Sequence, residues 1–370
     1  MTLPITLSLY IARQFAGSVI GMLLALSGLV ALFDFIELLR RSASRPAATF
    51  GVVSGIAALR LPYVAMQVLP FAVLLGGMLC FWRLTRSSEL IVARAAGVSA
   101  WEFLTAPTLC ALLFGTLATA AVSPLSSVMF GRAEAMDSVY LRSGSGLLAL
   151  TGGQLWLRQA DHGLSPQGVA IIHAHGVALH GKRLTVSQVS VFRLDGRDRL
   201  LTRIEASNAT LAAGAWQLQD ARTTRPEQMP EPPREISLPT DLTVARVQES
   251  FASPETLSFW ALPGFISLLD RSGFSSTRHR LHFQALLALP LLSATMALVA
   301  AGFSMRPARR GGVAQMIASG VATGFALFLV SKVAEEFGQT GALPAALAAW
   351  APAVSGLMLA VALLLHTEDG

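Results

Sequence analysis

Charge is what this sequence has too little of. Only 14% of its 370 residues are Asp, Glu, Lys or Arg, where a soluble domain carries roughly a quarter, a shortfall of about forty charges. That shortfall excludes a disordered chain and argues against an ordinary soluble enzyme. Lysine is scarcer still. Lys182 and Lys332 stand alone, and neither follows a glycine-rich loop. The phosphate-cradling pattern G-x-x-x-x-G-K-S/T is therefore missing, and the chain cannot power itself with ATP through a P-loop. Two cysteines, Cys80 and Cys110, both sit inside apolar runs, which excludes a disulfide framework around any soluble part.

What the sequence has in excess is apolar length. Hydrophobic residues make up 53% of it and the mean hydropathy is +0.56. Six runs are long enough to cross about 30 Å of hydrocarbon at 1.5 Å per residue: Ile11–Leu39, Gly55–Trp82, Trp101–Met129, Leu281–Ser304, Val313–Phe337 and Leu343–His366. The first is too long, and its charges come too late, for a cleaved signal peptide. The expected class is a helical membrane protein with six transmembrane helices in a 3+3 arrangement around an inserted all-β domain. Its expected parts are residues 1–130 (three helices), 131–255 (the insert) and 256–370 (an interfacial helix and three more helices). Arginines in the short loops set the orientation. Arg83, Arg86 and Arg94 follow the second run, and Arg306, Arg309 and Arg310 follow the fourth. Those loops share a side with both termini, so the termini are expected in the cytoplasm and the insert in the periplasm. Arg40, Arg41 and Arg45 then fall on the outer side, against the charge rule, and call for a purpose there. The net charge of +6 suits anionic lipid, and no basic stretch carries the interleaved aromatics of a nucleic-acid motif.

The insert alternates like strands. Leu184, Val186, Val189 and Val191 share one face with a slip in phase near Gln188, which predicts a bulge. Asp195-Gly196 signals a hairpin turn, and Leu200, Thr202, Ile204 and Ala206 share the next inward face. Trp216 and Leu218 alternate with Gln217 and Gln219, and Pro230–Pro239 can serve only as an edge or loop. A sandwich, a jelly roll and a curved sheet all fit this pattern, and each leaves open edges that another chain could extend. His173, His175 and His180 lie close together, but no carboxylate or cysteine stands beside them, so surface histidines are the better reading than a metal site. Asn208-Ala-Thr210 matches a glycosylation triplet that is common by chance. Beyond the insert, Ser253 can cap a helix from Pro254, broken at Pro263-Gly264, that lies on the membrane surface with Trp260 at headgroup depth.

Two short segments carry mechanism. In Arg83–Ser99, Ser87 can cap a helix whose first turn holds Glu89 and which Gly97 closes. Its residues Leu90 to Ala96 are too apolar to stand alone in cytoplasm. They suit a groove on another protein, with a helix folded back on the membrane as the alternative. At the end of the first run, Asp34, Glu37 and Arg41 share one helix face. An ion pair between Glu37 and Arg41 is as good a reading as any functional role for Glu37, whereas Arg40 and Arg41 suit phosphate, which guanidinium grips in a fork. Arg60 and Arg132 are expected at the same depth. Lys332 is expected to pair with Glu335 and Glu336, with Glu336 four residues away.

These residues resemble the LptF/LptG permeases of the lipopolysaccharide exporter, with the closest likeness to the LptG branch. The resemblance rests on Asp34-Phe-Ile-Glu-Leu-Leu-Arg-Arg41, Leu69-Pro-Phe-Ala-Val-Leu-Leu-Gly76, Ser88-Glu-Leu-Ile-Val-Ala-Arg-Ala-Ala-Gly97, Ser258-Phe-Trp-Ala-Leu-Pro-Gly264, Arg278-His-Arg-Leu-His-Phe283 and Arg309-Arg-Gly-Gly312. It implies a non-catalytic subunit in the bacterial inner membrane that extracts lipopolysaccharide from the outer leaflet, with ATP and Mg bound by an LptB-like ATPase dimer and no cofactor of its own. Residues 85–97 would be the coupling helix, contacting the ATPase through Glu89, Leu90 and Arg94. An LptF-like chain would complete a cavity gated by span one of each chain against span five of the other. An LptC-like single helix would lodge beside span one, and the β domain would be a jelly roll joined to an LptA-like periplasmic bridge. Arg40 and Arg41 match positions that face the lipid's phosphates, and Arg60 and Arg132 extend that ring geometrically. Leu26, Val30 and Phe33 of span one, with Phe325 and Phe328 of span five, would line the acyl-chain cavity. Asp34 departs from members that carry lysine there. The competing readings are a non-transporting scaffold or sensor, and a lipid-modifying enzyme, for which no nucleophile–base pair or metal cluster is evident.

Overall fold

The computed structural model describes residues 5–43, 48–95, 97, 99–141, 148–151, 154–161, 168–180, 183–195, 199–212, 214–226, 228–240, 253–271, 275–304 and 313–368. Among them six helices are long and apolar enough to cross a membrane. They are Thr6–Ser42, Phe50–Arg86, Trp101–Tyr140, Thr277–Ser304, Ile317–Gln339 and Ala345–Leu365, spans one to six. The chain divides into two packed units. The helical unit comprises Met1–Leu141, Glu255–Leu262 and Thr277–Gly370; the second comprises Arg142–Pro254 and Pro263–Ser276.

In the helical unit the apolar residues of spans one to four meet in one core containing Phe15, Val19, Val73, Leu74, Phe81, Leu104, Val299 and Ala300, which Leu327, Ala360 and Leu364 extend into spans five and six. Close approach of spans one and two depends on Gly76. A Cβ there would stand 2.7 Å from the Val19 Cα and 2.9 Å from the Ser18 carbonyl oxygen, so the two backbones touch where only hydrogen fits. A smaller cluster gathers Leu38 of span one, Val53 and Ile56 of span two, Ala133 of span three and Leu141 just past its end.

Span three runs well past its expected end at Met129. A π turn at Ala118–Val122 passes into a fresh helical segment, Ser123–Tyr140, with Pro124 in the first turn, where its missing N–H costs nothing. The insert therefore begins after Leu141 rather than at residue 131. The π turn breaks the regular ladder, and neighbours use its polar groups. The Trp260 indole N–H donates to the Ala120 carbonyl (3.1 Å), the Phe259 amide donates to the Ser123 hydroxyl (3.1 Å), and the Thr119 hydroxyl donates to the Leu286 carbonyl in span four (2.8 Å).

The second unit is one antiparallel sheet of seven strands in chain order: β1 Leu148–Thr151, β2 Gln154–Ala160, β3 Val169–His180, β4 Arg183–Leu194, β5 Leu200–Ala212, β6 Ala215–Thr224 and β7 Arg234–Pro239. This is the form the jelly-roll-like expectation takes among the described residues. Its inward face holds Leu155, Ile172, Val186, Val191, Ile204, Trp216 and Leu218. The bulge falls where the phase slips: Gln188 has φ 51°, and pairing passes from Ser187 to Val189 without it. Gly196 of the expected turn lies outside the described residues, but its flanks are tied, the Asp195 amide donating to the Arg199 carbonyl at 3.0 Å. The proline-rich stretch supplies the edge strand β7, as its missing donors require.

The helix after the insert differs from expectation. Pro254–Thr256 is a short 3-10 turn, and the helix proper is Leu262–Arg271. Pro263 falls in its first turn, so it starts the helix instead of breaking it. Phe265 and Leu269 turn into the β core, because their spacing of four gives one apolar face. From Pro263 onward this helix belongs to the β unit by packing.

Candidate functional site

Basic and acidic side chains collect at the end of the helical bundle from which span three departs for the insert. Glu37 holds both arginines of span one. The Arg41 Nε lies 2.9 Å from one of its carboxylate oxygens, and an Arg40 terminal nitrogen lies 2.8 Å from the other. The expected i,i+4 pair is present, and Arg40 shares the same carboxylate. Both guanidinium groups remain open to solvent, at 78% and 53% exposure. The triad carries one net positive charge at the helix C-terminus, where a cation complements the backbone dipole.

Arg60 is placed differently. It is only 15% exposed and faces three carboxylates: Asp34 of span one at 3.1 Å, and Glu134 and Asp137 of span three at 3.9 Å each. Asp34, puzzling as a lone carboxylate near a phosphate site, thus has a guanidinium partner on span two. Arg132 lies on the same segment of span three as Glu134 and Asp137, but is exposed. Among the four arginines read as one ring, Arg40, Arg41 and Arg132 are exposed and Arg60 is enclosed in ion pairs. Sequence reading missed Glu134 and Asp137. Their spacing of three on one helix face, with Arg60 also near a helix end, was the available signal.

The apolar faces are equally uneven. In the most apolar window of each span, 61% of span two and 67% of span four is buried, against 28% of span three, 33% of span six, 22% of span five and 11% of span one. Phe33 (65% exposed), Val30 (38%), Phe325 (53%) and Phe328 (37%) stand on those open faces, while Leu26 is half-buried. Phe328 packs edge-on against Phe71 of span two at 5.5 Å between ring centroids, and the Lys332 ammonium sits 5.9 Å above it. Lys332 pairs with Glu335 at 2.7 Å, one residue short of the i,i+4 arrangement with Glu336.

At the opposite end of span two, Glu89–Ala95 forms the short loop helix, with Gly97 at φ +85°, the left-handed geometry foreseen for its close. Glu89 stands in the first turn, as expected. Ser87 caps the C-terminus of span two instead of the start of the loop helix. Its hydroxyl donates to the Glu89 carboxylate at 2.8 Å, and the Tyr10 hydroxyl of span one reaches the same oxygen at 3.5 Å. The side chains of Leu90 and Arg94, and the whole of Arg306, Arg309 and Arg310, lie outside the described residues.

Six helices of membrane length, an arginine pair at one rim, a short loop helix at the other and an inserted β unit define a multi-span membrane protein. Comparison with known proteins narrows the class. Residues 9–366 match the family model of the lipopolysaccharide export system permeases LptF/LptG, and the chain belongs to that family. It is similar to the lipopolysaccharide export system permease protein LptG of Haemophilus influenzae, at 22% identity over 98% of this chain and 99% of that protein. It is also similar to the LptG of Escherichia coli K12, at 22% identity over 93% of each. As a family permease it is a multi-pass inner-membrane protein and a transporter subunit rather than a catalyst.

Proposed function

We propose that this chain is the LptG-like half of an ATP-driven exporter that lifts lipopolysaccharide out of the periplasmic leaflet. The observation that carries this reading is that spans one and five are the least buried of the six, 11% and 22% of their most apolar windows. An LptF-like chain would cover those faces and, with them, enclose a cavity lined by Leu26, Val30, Phe33, Phe325 and Phe328. Acyl chains in such a cavity are held at roughly 0.8 kcal/mol per buried CH₂, so expelling several demands work from outside the chain. An LptB-like ATPase dimer in the cytoplasm would supply it, binding ATP and Mg itself and pressing on Glu89–Ala95. Both termini then face the cytoplasm, and the arginine rim and β unit face the periplasm. There an LptC-like helix beside span one and an LptA-like bridge would take the lipid onward. Arg40, Arg41 and Arg132 remain available to lipid phosphates.

The test is purification from native membrane in mild detergent followed by mass spectrometry of whatever travels with the chain. An ATPase, a second permease of this family and bound lipid A are expected. Isolation of the chain alone, with no ATPase captured even by crosslinking through Glu89→Cys, would overturn the exporter reading in favour of a scaffold.

A further inference from the structure

The Arg60 cluster has a geometry that a phosphate ligand would not need. The guanidinium is largely buried, and its carboxylate partners come from two different helices, Asp34 on span one and Glu134 with Asp137 on span three. Arg60 itself stands on span two, so one side chain ties three helices together. The apolar cluster of Leu38, Val53, Ile56, Ala133 and Leu141 joins the same three helix ends and is separate from the main core. Phe35 of span one also meets Phe50 of span two edge-on, with ring centroids 5.7 Å apart. Only 11% of the most apolar window of span one is buried, yet this end is held by ion pairs, apolar packing and an aromatic contact. Span five is held as well: Leu327 joins the main core, and near its outer end a Cβ at Gly338 would stand 2.8 Å from the Ala348 Cβ and 3.0 Å from a Leu281 methyl.

We propose that Arg60 is a positioning residue: with Asp34, Glu134 and Asp137 it pins the periplasmic end of span one to spans two and three, so that this end of the gate helix stays fixed during transport. The pin rests on the exporter reading for its role, but not for its existence. It fixes Arg40 and Arg41, which follow Asp34 on the same helix, at a constant place on the rim. A lipid phosphate then meets a preformed pair of guanidiniums instead of one carried away by gate motion. Arg60 itself binds no substrate, because its side chain is only 15% exposed and both terminal nitrogens face carboxylates inside the bundle.

The test is a tether. In a Cys80→Ala, Cys110→Ala background, Phe35→Cys and Phe50→Cys are joined by a short bifunctional thiol reagent in the complete exporter. The Arg60 cluster is left intact. Extraction of lipopolysaccharide per ATP hydrolysed is expected to stay within about twofold of the untethered double cysteine, since fixing what does not move costs nothing. Loss of extraction only on tethering would overturn the proposal. A second measurement uses no transport. Spin labels at Ala43→Cys and Phe50→Cys should give one narrow distance distribution, unchanged between nucleotide-free and ATP-trapped complex, which Arg60→Gln broadens even in the isolated chain and Arg60→Lys partly restores. A wild-type distribution that shifts with nucleotide, or one indifferent to Arg60→Gln, would refute the pin. A wild-type complex that extracts no lipid would refute the exporter reading instead, and the labels on the isolated chain would still judge the pin.

Discussion

Adding one methyl group at Gly76 should destabilise the bundle, while the same change at Gly21 should not. At Gly76 the new Cβ would stand 2.7 Å from the Val19 Cα, 2.9 Å from the Ser18 carbonyl oxygen and 2.9 Å from the Val19 nitrogen. All three are backbone atoms of span one, so no side chain can rotate away, and the helices must part by roughly 1 Å to reach ordinary carbon contact near 3.5–4 Å. A gap of that size forfeits about a quarter to a half of each dispersion well it opens. The interface affected is fully buried, with Phe15, Val73 and Leu74 each 0% exposed. The expected cost of Gly76→Ala is about 1–3 kcal/mol, as for other overpacked cores. At Gly21 an added Cβ meets nothing within 4 Å, and the change should stay within about 0.5 kcal/mol. Thermal and denaturant unfolding of the isolated chain in one detergent, followed by tryptophan fluorescence and near-UV dichroism, would measure the pair. Equal losses at both positions, or no loss at Gly76, would refute the claim that spans one and two touch backbone to backbone. Repeating the pair in the assembled complex adds a functional reading. If a partner helix covers the open face of span one, Gly21→Leu should impair assembly while leaving the isolated chain's melting unchanged.

Two further outcomes follow from the charges. Arg40→Glu with Arg41→Glu turns the triad with Glu37 from one net positive charge into three negative ones. Lipid A capture should then fall about tenfold or more at low salt and less at high salt, because exposed charges are screened. Lipid A stripped of its phosphates should be bound equally by both proteins; an equal loss with that lipid would show that the arginines act on something else. In the β unit, burial and then the neighbouring His175 hold the His173 imidazole below its ordinary value. The unfolded chain therefore binds the proton more readily, so His173 costs stability as pH falls below about 6.5 and nothing above it. His173→Gln should flatten the decline in melting temperature between about pH 7.5 and 5.5; an unchanged slope would remove His173 from the account.

Much of this architecture was legible because two periods dominate the sequence: apolar runs of membrane length, and strict alternation in the insert. Even the bulge at Gln188 announced itself as a slip of phase. What escaped reading were features decided by three-dimensional pairing. The apolar run of span three stops near Met129, and Arg132, Glu134 and Asp137 follow it. In the folded chain Asp137 is 1% exposed and its charge is answered by Arg60 of another helix, so the polar residues continue the helix instead of ending it. Arg60 was read by depth alone, and depth puts it beside Arg40 and Arg41; only the positions of Asp34, Glu134 and Asp137 distinguish a guanidinium turned inward from two turned outward. Pro263 was read as a breaker, though a proline is equally at home in a helix's first turn, and Phe265 with Leu269 needed the β core in place before their partner could be known. In each case the local signal was a true polarity or a true turn residue whose meaning depended on what stood across from it. The same dependence explains why spans one and five carry the functional reading: they are the least buried of the six, and what stands across from them, lipid or a second chain, is not written in their own residues.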